Sequence, residues 1–183
     1  MIARILIALA VVILILVIVI ASRPADFRYQ RSTTISAPAS LIFPQVNDLH
    51  RWQVWSPYAK KDPNAKNRFE GPPAGVGAAM SWAGNNDVGE GTMSIIESRP
   101  DERVKFQLDF RKPFAGTNVA EFDIKPEGKK TLVTWSMSGK NTFFFKAFSL
   151  FVDCDKMIGG DFEKGLADLK AIVESETPSH RQP

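Results

Sequence analysis

The sequence is poor in the residues that usually carry covalent or metal chemistry. Among 183 residues there is one cysteine, Cys154, and there are two histidines, His50 and His180. A single cysteine excludes an intramolecular disulfide and leaves the compartment undecided. Two histidines far apart in sequence, with no second cysteine, lack metal-ligand spacing, so no metal is expected. A Cys154–His50 dyad would require His50 to reach the C-terminal helix, and an ideal wheel places Cys154 off the centre of that helix's apolar stripe. GVGAAMS follows a turn but enters a strand and lacks the Gly-Lys-Ser/Thr ending, so it is not a phosphate loop. The charge is also mild: 23 basic residues against 20 acidic ones give a net +3, dispersed along the chain. No basic block is interleaved with aromatics, so no nucleic-acid partner is expected, and no cofactor is implied.

What is present begins with an uninterrupted apolar run, Ile5 to Ala21 (ILIALAVVILILVIVIA). At about 1.5 Å per residue it spans about 25 Å as a helix, close to the hydrocarbon thickness of a bilayer. A cleaved signal would carry an apolar region of about 7 to 15 residues and a small-x-small site, so the run reads as a retained anchor that meets lipid through residues 5–21. Arg23, Arg28 and Arg31 follow the run and Arg4 precedes it. A local count favours the arginine-richer side as cytoplasmic, but a long folded domain crosses largely regardless of charge. The reading therefore leans to a single-pass protein of the cell (inner) membrane, with its domain on the non-cytoplasmic side. The chain divides into an anchor at 1–22, a linker at 23–26, one domain at 27–174 and a flexible tail at 175–183.

Within the domain, FRYQRSTTI (27–35) alternates as a first strand. Pro38 and its neighbours open an apolar stretch disturbed by Pro44, and Trp52 and Trp55, three residues apart, share a face of a second short helix that Pro57 is expected to stop. Six further strands follow. In VKFQLDFR, Val104, Phe106, Leu108 and Phe110 share one face and Lys105, Gln107, Asp109 and Arg111 the other. VGAAMSW alternates Val76, Ala78, Met80 and Trp82, and Val133, Trp135 and Met137 share a face in TLVTWSMS. From Phe144 to Val173 the period lengthens to that of a long amphipathic helix, with a kink expected at Gly159-Gly160 and Asp161 as a cap for its second half. A seven-stranded antiparallel sheet needs a cover for its apolar face, and this helix is the long one available. The expectation is an α+β helix-grip: a curved sheet around a C-terminal helix, with two short helices between the first two strands.

TISAPAS, RWQVWSP, FEGPPAGVGAAMSW, GEGTMSI, RKPF, TWSMSG and DKMIGGDFEKGL together resemble the SRPBCC, or START-like, helix-grip superfamily over about residues 27–174. Within it, the chain is similar to the membrane-anchored bacterial proteins of the polyketide cyclase/dehydrase and lipid-transport type. The resemblance implies a hydrophobic cavity between sheet and helix. Relatives bind lipids, sterols, polyketides or hormones, and others are aromatase/cyclases or chaperone activators, so fold alone does not assign function.

The residues expected to line such a cavity are Trp52, Trp55, Tyr58, Met80, Trp82, Phe106, Leu108, Phe110, Trp135, Met137, Phe148, Phe151 and Asp155. For the strand residues, plain core packing is the competing reading. Trp52 and Trp55 read equally as a pocket mouth or a closing latch. The wheel places Asp155 near the middle of the apolar stripe, between Phe151 and Phe162, as a structural ion-pair partner, a polar anchor or an acid/base. Phe143 and Phe145 lie off the stripe, against membrane, pocket mouth or a loop. Three functions stay open: a tethered binding module for an apolar small molecule, lipid-like or isoprenoid- or polyketide-like; a cyclase/dehydratase-type enzyme assisted by Asp155 or His50; and a protein-interaction or chaperone-assisting module, its protein partner unidentified.

Overall fold

The computed structural model describes residues 1–176. Its first element is α1, Ile2–Ser22, with 21 residues and a mean hydropathy of 3.5. Length and composition allow it to cross a membrane; nearly all of its side chains are exposed, and Ile20 is buried.

After β1 (Asp26–Ile35) come α2 (Ala39–Asn47), α3 (Leu49–Trp55) and α4 (Pro57–Lys61). The strands β2 (Lys66–Glu70), β3 (Ala79–Ala83), β4 (Glu90–Arg99), β5 (Arg103–Lys112), β6 (Gly116–Glu127) and β7 (Lys130–Lys140) follow, then α5 (Phe143–Phe148) and α6 (Cys154–Glu176). All seven strands form one antiparallel sheet in the order β1-β7-β6-β5-β4-β3-β2. The first strand therefore pairs with the last, and the helices inserted after β1 cover one end of the concave face. The helix-grip architecture expected from the pattern is present.

The alternation of β5 explains the two faces of the sheet. Val104 and Phe106 are buried beneath the helices, while the opposite residues join ion pairs on the outer face. Arg103 meets Asp123 at 2.6 Å, and Lys105 meets Glu97 at 3.2 Å and Glu121 at 3.4 Å. Across these strands, the outer face presents a network of charge to water.

Three local expectations are corrected. Between β1 and β2 there are three short helices, because Pro57 starts a turn: its missing N–H is no loss at the first helical position. Val76 lies outside β3 and is exposed, in a turn where Gly75 and Gly77 both take positive φ.

The third correction concerns the C-terminal helix. It breaks at residues 149–153, and α6 runs unbroken through Gly159 and Gly160. Asp153 caps α6: its Oδ1 accepts the Lys156 N–H at 3.0 Å, and its carbonyl accepts from Met157 at 3.0 Å. Gly159 serves close packing, since a Cβ there would collide with the Arg31 guanidinium. Asp161 lies within the helix and pairs with Lys61 at 2.6 Å. The helix reaches Glu176, so residues 175 and 176 are helical, whereas the remainder of the expected tail, with His180, lies outside the described residues.

Candidate ligand-binding groove

The concave face has two unlike halves. Toward the end where β1 finishes, Trp52 and Trp55 of α3 drop onto the sheet among Phe106, Phe122 and Trp135. Trp52 lies 4.4 Å from Trp55, 5.4 Å from Phe106 and 5.3 Å from Trp135, centroid to centroid. Phe162 of α6 stacks on Trp135 at 4.2 Å and closes the cluster. None of these six rings is more than 5 % exposed. Edge and stacked contacts at such distances leave no space for a guest, so this half is solid core. Trp55 Nε1–H donates to the Gln45 carbonyl at 3.0 Å, whereas Trp135 Nε1–H finds no acceptor among the described residues.

α6 can lie this close to the aromatic cluster because Gly165 has no side chain. A Cβ there would stand 2.7 Å from the Trp135 ring and 2.9 Å from Pro57. The helix lies chiefly on β1, which leaves the inner faces of β5 and β6 to the short helices.

Toward the other end the apolar side chains are only partly covered. Phe27 and Tyr29 on β1, Trp82 on β3, and Leu108 and Phe110 on β5 stay half-buried, while Met80, Met93 and Met137 between them are buried. Trp82 meets Phe110 edge-on at 5.6 Å and donates its Nε1–H to the Val88 carbonyl at 3.0 Å. Its ring covers Gly91, where any Cβ would collide with it. Phe27 and Tyr29 stack at 5.0 Å, with Cys154 beside Tyr29 and its thiol donating to the Val152 carbonyl at 3.6 Å. Next to them, a depression of about 430 Å³ is lined by Arg23, Tyr29 and residues 149–155, where the C-terminal helix is interrupted. A second, of about 390 Å³, lies between α4 and α6, but Lys60 and Lys61 on its rim are paired with Asp168 and Asp161, each at 2.6 Å.

The electrostatics of the open half favour neutral groups. Burial, then the neighbouring Cys154 and Asp155, push Tyr29 up to about 12. Burial and then Asp153 push the Cys154 thiol up, so it stays protonated near neutral pH. Tyr58, whose ring faces Trp135 edge-on at 6.5 Å, is also pushed up, by burial and then by Asp161.

Of the residues singled out from the sequence, Tyr58, Met80, Trp82, Leu108, Phe110 and Met137 belong to the open half or its border. Trp52, Trp55, Phe106 and Trp135 form the filled half; the two α3 tryptophans are a latch, since both are buried within the core. Phe148 and Phe151 are 37 % and 87 % exposed and point away from the sheet, because the interruption at 149–153 resets the helical phase. Phe145, expected off the stripe, is instead the one that packs inward, stacking on Phe27 at 6.1 Å.

Asp155 also differs from its expected place. Its side chain is 58 % exposed and binds Arg31 through both oxygens, at 3.1 and 2.9 Å, while Arg31 also meets Glu163 at 2.7 Å. The Arg31 guanidinium holds the Asp155 carboxyl below the usual carboxylate range, opposite to the raised value an acid/base would need. His50 stacks on Phe69 at 4.0 Å, on β2 at the far edge of the sheet from β1 and Cys154, which rules out the dyad. Sequence reasoning missed Phe27, Tyr29 and Met93. Phe27 and Tyr29 were legible as one face of the first strand, but their contact with the start of α6 was not.

A family model described as polyketide cyclase / dehydrase and lipid transport matches residues 26–174. The chain belongs to this family. Among solved structures, protein CV1439 from Chromobacterium violaceum is 16% identical, covers 83% of this chain and 99% of its own, and superposes with a TM-score of 0.58. The Aha1 dimer from Colwellia psychrerythraea is 16% identical over 82% of this chain and 98% of its own, with a TM-score of 0.59. MLL2253 from Mesorhizobium loti gives 16% identity, 82% and 98% coverage and a TM-score of 0.57. At these identities the likeness shows the fold alone. No curated protein matches the chain. Polyketide cyclase / dehydrase and lipid transport domains of this SRPBCC type thus account for the sheet and α6, and their fold suggests binding of a hydrophobic ligand.

Proposed function

We propose that this protein is a membrane-anchored binding module for an apolar small molecule, lipid-like or isoprenoid- or polyketide-like in character, taken up in the open half of the grip. The observation that carries the reading is the contrast along one concave face. Six aromatic rings seal one half, while Phe27 and Tyr29, next to the helix interruption, and Trp82, Leu108 and Phe110, farther across the sheet, remain partly uncovered. Apolar walls with a few neutral hydroxyl and thiol groups suit a greasy ligand carrying one weakly polar group. The apolar α1 supports retention of the domain at a cell membrane and would keep the groove beside a lipid source; the placement of the domain on the non-cytoplasmic side is part of the proposal and rests on the sequence alone.

The enzymatic alternative draws less support. Asp155 is held ionised by Arg31, Cys154 is held protonated by burial, and His50 sits at the far edge of the sheet. The test compares the full chain with Leu108→Trp, which fills the open half without touching α1. Small molecules extracted from each purified protein are identified by mass spectrometry. An apolar compound near one per chain, lost on Leu108→Trp, is the expected result. Equal recovery of the same compounds from both proteins would defeat the reading.

A further inference from the structure

The surface around α5 is not built for water. Phe144 is 72 % exposed and Phe151 87 %, with Phe143 at 46 % and Phe148 at 37 % beside them. The strand register brings a further residue to the same end of the sheet. Phe110 pairs with Gly116, Asn118 with Gly139, and Asp26 with Lys140, so the β5–β6 turn, which carries Phe114 at 46 % exposure, the start of β1 and the entry to α5 share one end. Soluble surfaces seldom gather so many exposed phenylalanines without a partner.

The position of α1 says what the partner is. Ile20 is buried where the end of α1 meets α5, and Lys146 Nζ donates to the Ala21 carbonyl at 3.5 Å. The chain leaving α1 is tied to the same turn: Asn141 N–H donates to the Ala25 carbonyl at 2.7 Å, and its Nδ2 donates to the Pro24 carbonyl at 3.2 Å. Residues 23–25, between α1 and β1, can extend by no more than about 11 Å. If α1 crosses a bilayer, α5 therefore lies at its surface.

The charges agree with a lipid surface. Arg23, Arg28, Lys140, Lys146 and Lys156 surround the phenylalanines. Of the acids at this end, Asp155 pairs with Arg31 and Glu90 with Lys112, Asp109 accepts from Gln107 and Thr117, and Asp26 and Asp153 have no basic partner among the described residues.

We infer that α5, the turn at 149–153 and the β5–β6 turn form a membrane-docking surface. Phe144 and Phe151 enter the interfacial layer of the bilayer that α1 spans, and the basic residues around them meet lipid phosphates. This rests on the anchored reading of α1. Docked in this way, the depression lined by Arg23, Tyr29 and residues 149–155 lies at the lipid surface.

The test uses the full chain in vesicles of phosphatidylcholine with a minority of phosphatidylglycerol. A photoreactive benzoylphenylalanine replaces, one at a time, Phe144, Phe151, Ile13 within α1, or Ile96. Ile96 is a control that is 46 % exposed and lies near the β4–β5 turn, at the opposite end of the sheet. After illumination, adducts are identified by mass spectrometry. Lipid adducts at 144 and 151 about ten-fold above those at 96, and comparable to those at 13, are expected. Adducts at 13 but not at 144 or 151 would overturn docking and leave the anchor standing. Absence at 13 as well would overturn the anchor and docking together. Protein–protein adducts at 144 and 151 in place of lipid would assign the surface to a second copy of the chain.

Discussion

The two ends of the grip share one sheet and one set of strand alternations, yet one is solid and the other is not. At the filled end three layers of cover converge: α2, α3 and the second half of α6 all reach the sheet, and Ile35, Phe106, Phe122, Val133 and Trp55 have no measurable exposure. At the open end, α6 starts only at Cys154, and of the α5 phenylalanines only Phe145 packs on the sheet, while Phe143, Phe144 and Phe148 are exposed. Leu108 sits two residues beyond Phe106 on the same strand face and is half-buried where Phe106 is sealed. The difference lies in the covering helices, above all in where the last one is interrupted, and not in the strands.

The largest expected effect separates the ends directly. Trp55→Ala removes a fully buried indole and its bond to Gln45, and should cost about 3–5 kcal/mol in denaturant unfolding. Leu108→Ala, at a half-covered position, should cost clearly less while weakening displacement of an apolar fluorescent probe. If the two substitutions destabilise equally, the open end is packed core after all.

A smaller effect tests the approach of α6 to the aromatic cluster. Gly165→Ala adds a Cβ 2.7 Å from the Trp135 ring, a position rigidly held by its neighbours. Overpacking should cost about 1–3 kcal/mol, against up to about 1 kcal/mol regained in helix propensity, so a lowered melting temperature is expected. Gly160→Ala has nothing within 4 Å of its Cβ and should raise stability. Thermal unfolding of the pair tells close packing from a helical hinge, since a hinge would respond at Gly160.

Much of this fold was legible because strands with one wet face announce themselves. Val104 to Arg111 alternate without exception, and the outer charges fall where ion pairs form. The architecture followed from counting such strands and finding one helical period after them. The position of the break was misread because Gly-Gly is a strong breaker on propensity grounds, whereas Asp153 signals a helix start only to a reader who already doubts the helix before it. Tertiary packing on Arg31 and Trp135 is what Gly159 and Gly165 serve, and that partner information is absent from a linear pattern. Asp155 was misplaced by the same error, since a wheel carried through residues 149–153 rotates every later or earlier position relative to the true stripe. The candidate site was therefore legible as a set of strand residues and illegible as a shape.

Asp153→Ala sharpens the comparison at the interruption. Losing the bond to the Lys156 N–H should cost about 1 kcal/mol and fray the first turn of α6, where Cys154 and Asp155 sit. Hydrogen exchange of residues 154–157 should quicken while that of residues 165–173 stays slow. Uniform loosening of both would mean that the two ends of the helix are one cooperative unit.

The smallest effect concerns the bridge between β1 and the start of α6. Arg31 depresses the Asp155 carboxyl in the folded protein, so the pair stabilises fully above the ordinary carboxylate pKa, near pH 4. That contribution is lost as pH falls through the lower, folded value, because protonation then removes the charge that Arg31 binds. With Asp155 58 % exposed, salt should weaken the pair as well. Arg31→Met should raise the Asp155 pKa in a carboxyl NMR titration and remove this part of the acid sensitivity of melting. Because Arg31 lies beneath Gly159 and directly opposite Trp135 on β7, at the border of the two ends, the variant should also loosen α6 over the groove with at most a local change in the near-ultraviolet circular dichroism of the tryptophans. If that signal collapses instead, the two ends are coupled through α6, and the solid half depends on the bridge at the open one.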